Sequence, residues 1–437
     1  MSVRLPALPA DAWAGERLRA AAAARWAEPR SWLIIIPLLA GLYFRVDALR
    51  EGGPGVVRDE DGRQYYGIAA SIKRSGLFDD PDDPAPVSAY RMPLYPYFLS
   101  LFSSEDAALA EKRTAAALAA VSLALIFVSY RLSRAVLPNL PSLLLALLLA
   151  VPGEALDRGL DAEVQGFYAL FVAGFGLCCV NYLRRPGTAG ALLCGLSAGL
   201  ALQVRSSLLA GAALCAAFMW LEKERRKHLA VFLLALLALL SPWALRNYRQ
   251  FHRFILFEDA ASAVNLYTAT LGIDSCVGDN DVRLPDPAKD AFYRSAGNES
   301  RFRLLKGEIL PNLAAAPGVY LAGVARRTVK GLLRYWLLLP GIALAFYRRD
   351  KLAVFLSLFC LFHVGLHATM SVQGRYFFPM LPFAYILSAY WLYALFVPAK
   401  AGGDGFRPGE TGKAGLGFVL AGLSLYAVQA WYLFGEI

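Results

Sequence analysis

Apolar residues run through this chain in long blocks, broken by short basic or polar stretches. An α-helix needs about 20 mostly apolar residues to cross a bilayer. About eleven stretches approach that length: 31–49, 113–136, 139–152, 163–183, 188–204, 206–221, 228–245, 334–347, 351–370, 376–397 and 414–434. The third and eighth are short, which predicts tilted helices or helices that extend into their flanks. The fold expected is therefore all-α and polytopic, with a segment 1–30, a transmembrane domain 31–397, a Gly-rich linker 398–413 and a last membrane helix within 414–437. Two loops, about 50–112 and 246–333, are far longer than ordinary connectors, and their aromatic content favours a functional role. Residues 314–336 alternate apolar positions with Arg326, Arg327, Lys330 and Arg334, the pattern of a helix lying in the membrane interface.

Composition agrees. The chain is 57% hydrophobic and 18% charged. That balance is too apolar for a soluble protein. No cleavable signal peptide is apparent, and the basic segment Arg17 to Arg30 reads as a retained cytoplasmic anchor. With that end inside, Arg131, Arg134, Arg184, Arg185, Lys223, Arg225, Arg226, Lys227, Arg348, Arg349, Lys351, Lys400, Arg407 and Lys413 all fall on the cytoplasmic side. Only Arg158, Arg205 and Arg375 occupy the short outer connections. The net charge of +10 is thus a topology signal with affinity for membrane lipids, and gives no reason to invoke a nucleic acid partner.

Both long loops then face outward, and so does a set of charged residues. Asp59, Glu60 and Asp61 form an acidic run just after the first span. Arg91, Glu154, Asp157, Asp161, Glu163, Arg205, Arg246, Asn247, Asn265 and Arg375 reach the same side from other segments. Ionisable groups near a bilayer are costly, and a cluster of them marks function more often than a single one does. Arginine grips phosphate through its planar fork, and a carboxylate can take a proton from an incoming hydroxyl. Together they make a minimal inverting group-transfer site acting on an anionic lipid. Glu163 also fits a helix N-terminal acid, and Arg205 a snorkelling side chain. His363 and His367, at i and i+4, share one helix face without the further ligands a zinc site needs. The six cysteines show no metal-ligand spacing, five of them falling in apolar spans.

Three motifs carry a family resemblance. The first loop has Asp61-x-x-x-Tyr65, Ala69, Gly76-Leu77-Phe78 and Arg91-Met92-Pro93-Leu94-Tyr95-Pro96. Ser241-Pro242-Trp243-Ala244-Leu245-Arg246-Asn247-Tyr248 closes the seventh span, and Gly374-Arg375-Tyr376-Phe377-Phe378-Pro379-Met380-Leu381-Pro382 precedes the tenth. In this order they resemble the GT-C membrane glycosyltransferases, in particular the protein O-mannosyltransferases and the aminoarabinose transferases of lipid A. The resemblance implies that residues 31–397 form the catalytic domain, with a polyprenyl-phosphate-sugar donor, an external active site and an essential first-loop acid. The family's Asp-Glu pair matches Asp59-Glu60, whereas the spacing to Tyr65 matches Asp61.

The expected activity is transfer of a hexose or pentose from that donor to a hydroxyl acceptor on a lipid, glycan or protein, at the outer face of a bacterial inner membrane. Asp61, Asp59 and Glu60 are the candidate bases, in that order. Arg246, Arg375, Arg205 and Arg91 are candidates for the phosphate, with Asn247 and Glu163 beside them. Tyr65, Tyr66, Tyr90 and Trp243 are candidates to flank the sugar. A divalent ion (Mg, Mn or Ca) on Asp59 and Asp61 is a further expectation. The alternative is a transporter or flippase for the same lipids, against which the lack of an internal repeat counts.

Overall fold

The computed structural model describes residues 31–50, 60–79, 89–258, 261–278 and 281–396. Asp59, the 1–30 segment, the linker and the expected last helix 414–437 lie outside the described residues.

Seventeen α-helices follow one another, and no strand occurs among the described residues. The first group is α1 (Ile35–Arg50), α2 (Glu60–Ser75), α3 (Leu94–Ser100), α4 (Ala107–Ser133), α5 (Asn139–Ala150) and α6 (Glu154–Leu160). The middle group is α7 (Val164–Arg184), α8 (Thr188–Val204), α9 (Leu209–Leu221) and α10 (Arg226–Phe251). The outer loop then forms α11 (Ala261–Thr270), α12 (Pro287–Ser295), α13 (Asn298–Ala315) and α14 (Pro317–Arg334). The chain ends in α15 (Leu338–Arg348), α16 (Lys351–Ala368) and α17 (Leu381–Phe396), the last entered through a 3-10 turn at Gly374–Met380.

Among the described residues, six helical segments are long and apolar enough to cross a membrane, or eight if two bent pairs each count as one span. The molecule is a multi-pass membrane protein; the described residues do not confirm the count of eleven, whose last member, 414–434, lies outside them. The expected spans 139–152 and 334–347 belong to the bent pairs, and 188–204 and 206–221 are short apolar helices. Val151-Pro152-Gly153 stops α5, and α6 leaves at 54°. Arg205 separates α8 from a 3-10 turn and α9 in an extended conformation, φ −159° and ψ 135°. The amphipathic helix expected over 314–336 is α14. It exposes Val319, Leu321, Val329 and Leu333, buries Gly323, Arg327 and Gly331, and meets α15 at 92°. A right-angle junction is what an interfacial helix needs before the chain enters the bilayer.

Two devices hold the bundle tight. Gly195 on α8 lies against the Phe232 carbonyl of α10, where an added Cβ would collide with the oxygen. Such close approach substitutes for the hydrophobic drive that lipid does not supply. Arg45, wholly buried in α1, donates to the Ala150 carbonyl at 3.2 Å and to Ser122 Oγ at 2.6 Å. A buried guanidinium is tolerated there because the C-terminal carbonyls of α5 need donors.

Candidate active site at one end of the bundle

The site lies where α7 begins, where α8, α10 and α16 end, and where the turn into α17 starts. α2 is laid across it. Glu60 and Asp61 occupy the first turn of α2 and Lys73 and Arg74 the last, which complements the helix dipole at both ends. Gly76, at φ +73°, stops α2 with its N–H donated to Ile72 O at 2.9 Å. Tyr65, Ile68 and Ala69 form the buried face that fixes its rotation.

Asp61 sits between two arginines. Arg91 donates to Oδ1, and Arg375 Nη2 lies 2.8 Å from Oδ2. Burial on its own would raise the Asp61 pKa, but the charges of Arg91 and Arg375 and the Arg91 hydrogen bond outweigh it and bring it down to about 2. Arg91 is further fixed by Gln64, whose Oε1 accepts from Nε at 2.7 Å. The rings of Tyr65 and Tyr90 flank the same guanidinium at 4.8 and 4.6 Å. Tyr90 in turn stacks on Phe302 of α13, 5.5 Å between centroids. Burial moves the Tyr65 phenol upward, so it stays neutral and can donate.

Glu163 precedes α7 without capping it. Its Oε1 accepts from Arg375 Nη1 at 2.6 Å, and its Oε2 lies 3.4 Å from Arg158. It holds Arg375 in place.

Arg205 differs from these. Its guanidinium lies over the Tyr376 ring at 4.8 Å, and within electrostatic reach of Asp61, Glu258, Tyr65 and Tyr376. Among the described residues no carboxylate forms an ion pair with it. His367 stacks on the same Tyr376 at 5.6 Å, and His363 Nε2 lies 2.9 Å from Tyr376 O. The two histidines thus brace the Arg375-Tyr376 segment, and among the described residues they form no metal group with any acid or thiol.

Glu258 was not foreseen. One carboxylate oxygen accepts from Ser206 N at 3.3 Å, while the other is buried without a hydrogen-bond partner. A single acid in a loop has no spacing to flag it. The only signal was its place after the apolar run Phe254-Ile255-Leu256-Phe257.

Other sequence candidates are engaged elsewhere. Arg246 donates to Phe78 O at 3.2 Å and Asn247 Oδ1 at 2.9 Å, and lies over the Trp243 ring at 4.9 Å. Asn247, fully buried, donates to Ile255 O at 3.0 Å, and Trp243 packs with Phe78, Ile68 and Ile255. These contacts clamp the first loop onto α10. Tyr66 faces Thr114 and Glu111 of α4, away from the Asp61 group. Glu60 is exposed at the start of α2.

Asp61 has both oxygens committed to guanidinium groups, and the described residues group no three carboxylates or histidines as a cation cage. Asp59, the other residue expected to hold the divalent ion, lies outside the described residues.

No family model and no curated protein matches the chain. Solved structures do. An Archaeoglobus fulgidus oligosaccharyltransferase in the apo form aligns over 93% of this chain and 55% of its own, at 16% identity and a TM-score of 0.55. Archaeal oligosaccharyltransferase AglB from Archaeoglobus fulgidus, in complex with an inhibitory peptide and a dolichol-phosphate, covers 92% of this chain and 55% of its own, at 16% and 0.54. A complex with Zn and sulfate covers 91% and 51%, at 17% and 0.54. This chain spans about half the length of these neighbours. ArnT from Cupriavidus metallidurans aligns at 14% identity over 90% of this chain and 85% of its own, but its TM-score of 0.40 is too low to bear on the fold. The likeness to the oligosaccharyltransferase shows the architecture: this chain has the GT-C membrane glycosyltransferase fold.

Proposed function

We propose that this chain is a membrane glycosyltransferase that moves a sugar from a polyprenyl-phosphate donor to a hydroxyl acceptor at the outer face of a bacterial inner membrane. The observation that carries this reading is Arg205. An arginine held in a largely buried polar site without a carboxylate partner is costly unless an anion completes it. Asp61, Arg375, Tyr65 and Glu258 converge around it, so an anion bound there lies next to candidate acids. The dolichol-phosphate in the AglB complex is an anion of the required kind.

The chemistry follows from the pairings. In the resting site Arg375 is shared by Asp61 and Glu163, and Asp61 at a pKa of about 2 is a weak base. A donor phosphate entering beside Arg205 competes for Arg375. As Arg375 turns to the phosphate, Asp61 loses one of the charges that depress it and its basicity rises toward the useful range. The acceptor oxygen then attacks the anomeric carbon, the bond from that carbon to the phosphate oxygen breaks, and the acceptor proton passes to Asp61. Polyprenyl phosphate leaves with its charge held by Arg205 and Arg375. A single displacement of this kind inverts the anomeric centre. Arg91 and its tyrosine pair position Asp61, Glu163 positions Arg375, and the unpartnered Glu258 oxygen offers an acceptor to a sugar hydroxyl. Asp59 and Glu60 stay the competing bases. One neighbour was solved with Zn and sulfate; a divalent ion held by Asp59 and Asp61 would supply further positive charge to the leaving phosphate.

Binding of polyprenyl phosphate to the full chain in nanodiscs tests the reading. A charge-assisted contact contributes about 1.5–3 kcal/mol. Arg205→Ala is expected to weaken binding by roughly 10- to 100-fold, with Arg205→Lys intermediate because it keeps charge and loses the fork. An Arg205→Ala protein of unchanged thermal stability that binds the lipid as wild type does would refute it.

A further inference from the structure

The end of the bundle opposite the candidate active site holds a feature independent of glycosyl transfer. Cys179 on α7, Cys194 on α8 and Cys215 on α9 are all buried, and their sulfur atoms lie within 4.8 Å of one another. The Cys179 and Cys215 sulfurs are 3.4 Å apart. A buried cysteine taken singly is a small apolar filler. Three from three successive helices, with sulfurs converging on one point, are the donor set of a thiolate metal site. A metal–sulfur bond of about 2.3 Å places three sulfurs in trigonal array roughly 4 Å apart, a spacing the cluster nearly has.

We propose that these three cysteines bind a single thiophilic metal ion, Cu(I), as a closed site tying α7, α8 and α9 together. Ligand type selects a soft ion. Ligand number selects Cu(I): structural zinc takes four ligands, and among the described residues no fourth Cys, His, Asp or Glu joins this group. The thiol protons are released on binding, and no oxidant or reductant is consumed. Cys178, the neighbour of Cys179, is only partly buried and stands outside the group. Tyr182, one turn beyond Cys179, has its hydroxyl 3.0 Å from His228 Nδ1.

The test uses the full chain in detergent under anaerobic, reducing conditions, titrated with Cu(I) supplied as its bicinchoninate complex. One equivalent is expected to bind with three sulfur neighbours in the X-ray absorption spectrum. Cys194→Ala and Cys215→Ala are expected to lower the affinity by roughly 100-fold or more, beyond what loss of an outer partner causes, while Cys276→Ala and Cys360→Ala leave it unchanged. Folded wild-type protein that binds no Cu(I), or binds it through nitrogen or oxygen, would overturn the proposal. So would a Cys179–Cys215 disulfide found by mass spectrometry in protein kept reduced. Should a cysteine variant fail to fold, the wild-type stoichiometry and spectrum still decide.

Discussion

At the residue scale the site is a competition for arginines. Asp61 and Glu163 share Arg375, and Asp61 also holds Arg91, so a folded-state carboxylate of pKa about 2 is tied to cations that an incoming phosphate would claim. The sign of the pH dependence follows. A carboxylate with a depressed folded pKa contributes stability above its unfolded value of 3.8, and loses it as pH falls toward about 2. Because kcat/KM reports the free enzyme, its profile is expected to stay flat on the acid side from pH 7 down to about 5. An acid limb near pH 6 would assign the base to another group. Glu163 acts through Arg375, so Glu163→Gln is expected to raise KM for the donor more than it lowers kcat. A steady-state comparison of the two constants checks this, and an equal fall in kcat and kcat/KM would give Glu163 a role in the transition state. Arg205 could be singled out in the sequence because a charge inside an apolar stretch stands out. Its lack of an acid partner could not, since that depends on where five other segments fold.

At the element scale, short breaks in long helices place the site. Gly153 at φ +149° breaks α5 from α6, the extended Arg205 ends α8, and the 3-10 turn at Gly374–Met380 leads into α17. Gly166 lets α7 lie against α6, and a Cβ there would come within 2.6 Å of the Arg158 carbonyl. Gly166→Ala is expected to cost about 1–3 kcal/mol of stability, read as a lower melting temperature in detergent. It should also weaken donor binding through the displaced Arg158–Glu163 contact. An unchanged melting temperature would mean that α6 yields without strain. The long spans were legible because a bilayer demands long apolar runs. The bent pairs were not, because Pro152 and the α14–α15 junction act on direction, which hydropathy does not record. The Arg246 motif was visible in the sequence, but only packing shows the residue holding Phe78 O and Asn247. The cysteine cluster was invisible because its members lie on three separate helices.

At the scale of the whole molecule, the charges divide by end. Arg134, Arg184, Arg185, Lys223 and Arg225 gather at one end of the helices, and Asp61, Glu163, Arg205 and Arg375 at the other. The positive-inside bias supports the proposal that the candidate site faces outward. The amphipathic helix α14 is anchored by Asp274, which meets Arg326 at 3.0 Å and Arg327 at 3.4 Å. The most direct test is a transfer assay. Wild type and Asp61→Asn, each reconstituted in liposomes of known orientation, receive a polyprenyl-phosphate donor with a labelled sugar and a panel of hydroxyl acceptors. The wild-type chain is expected to transfer label and release polyprenyl phosphate. Asp61→Asn should bind the donor and lose about 10²–10⁴-fold in turnover, with a larger loss in Asp59→Asn moving the base to that position. Transfer at wild-type rate by both folded Asn variants, or donor flux across the bilayer without any transfer by the wild type, would contradict the account.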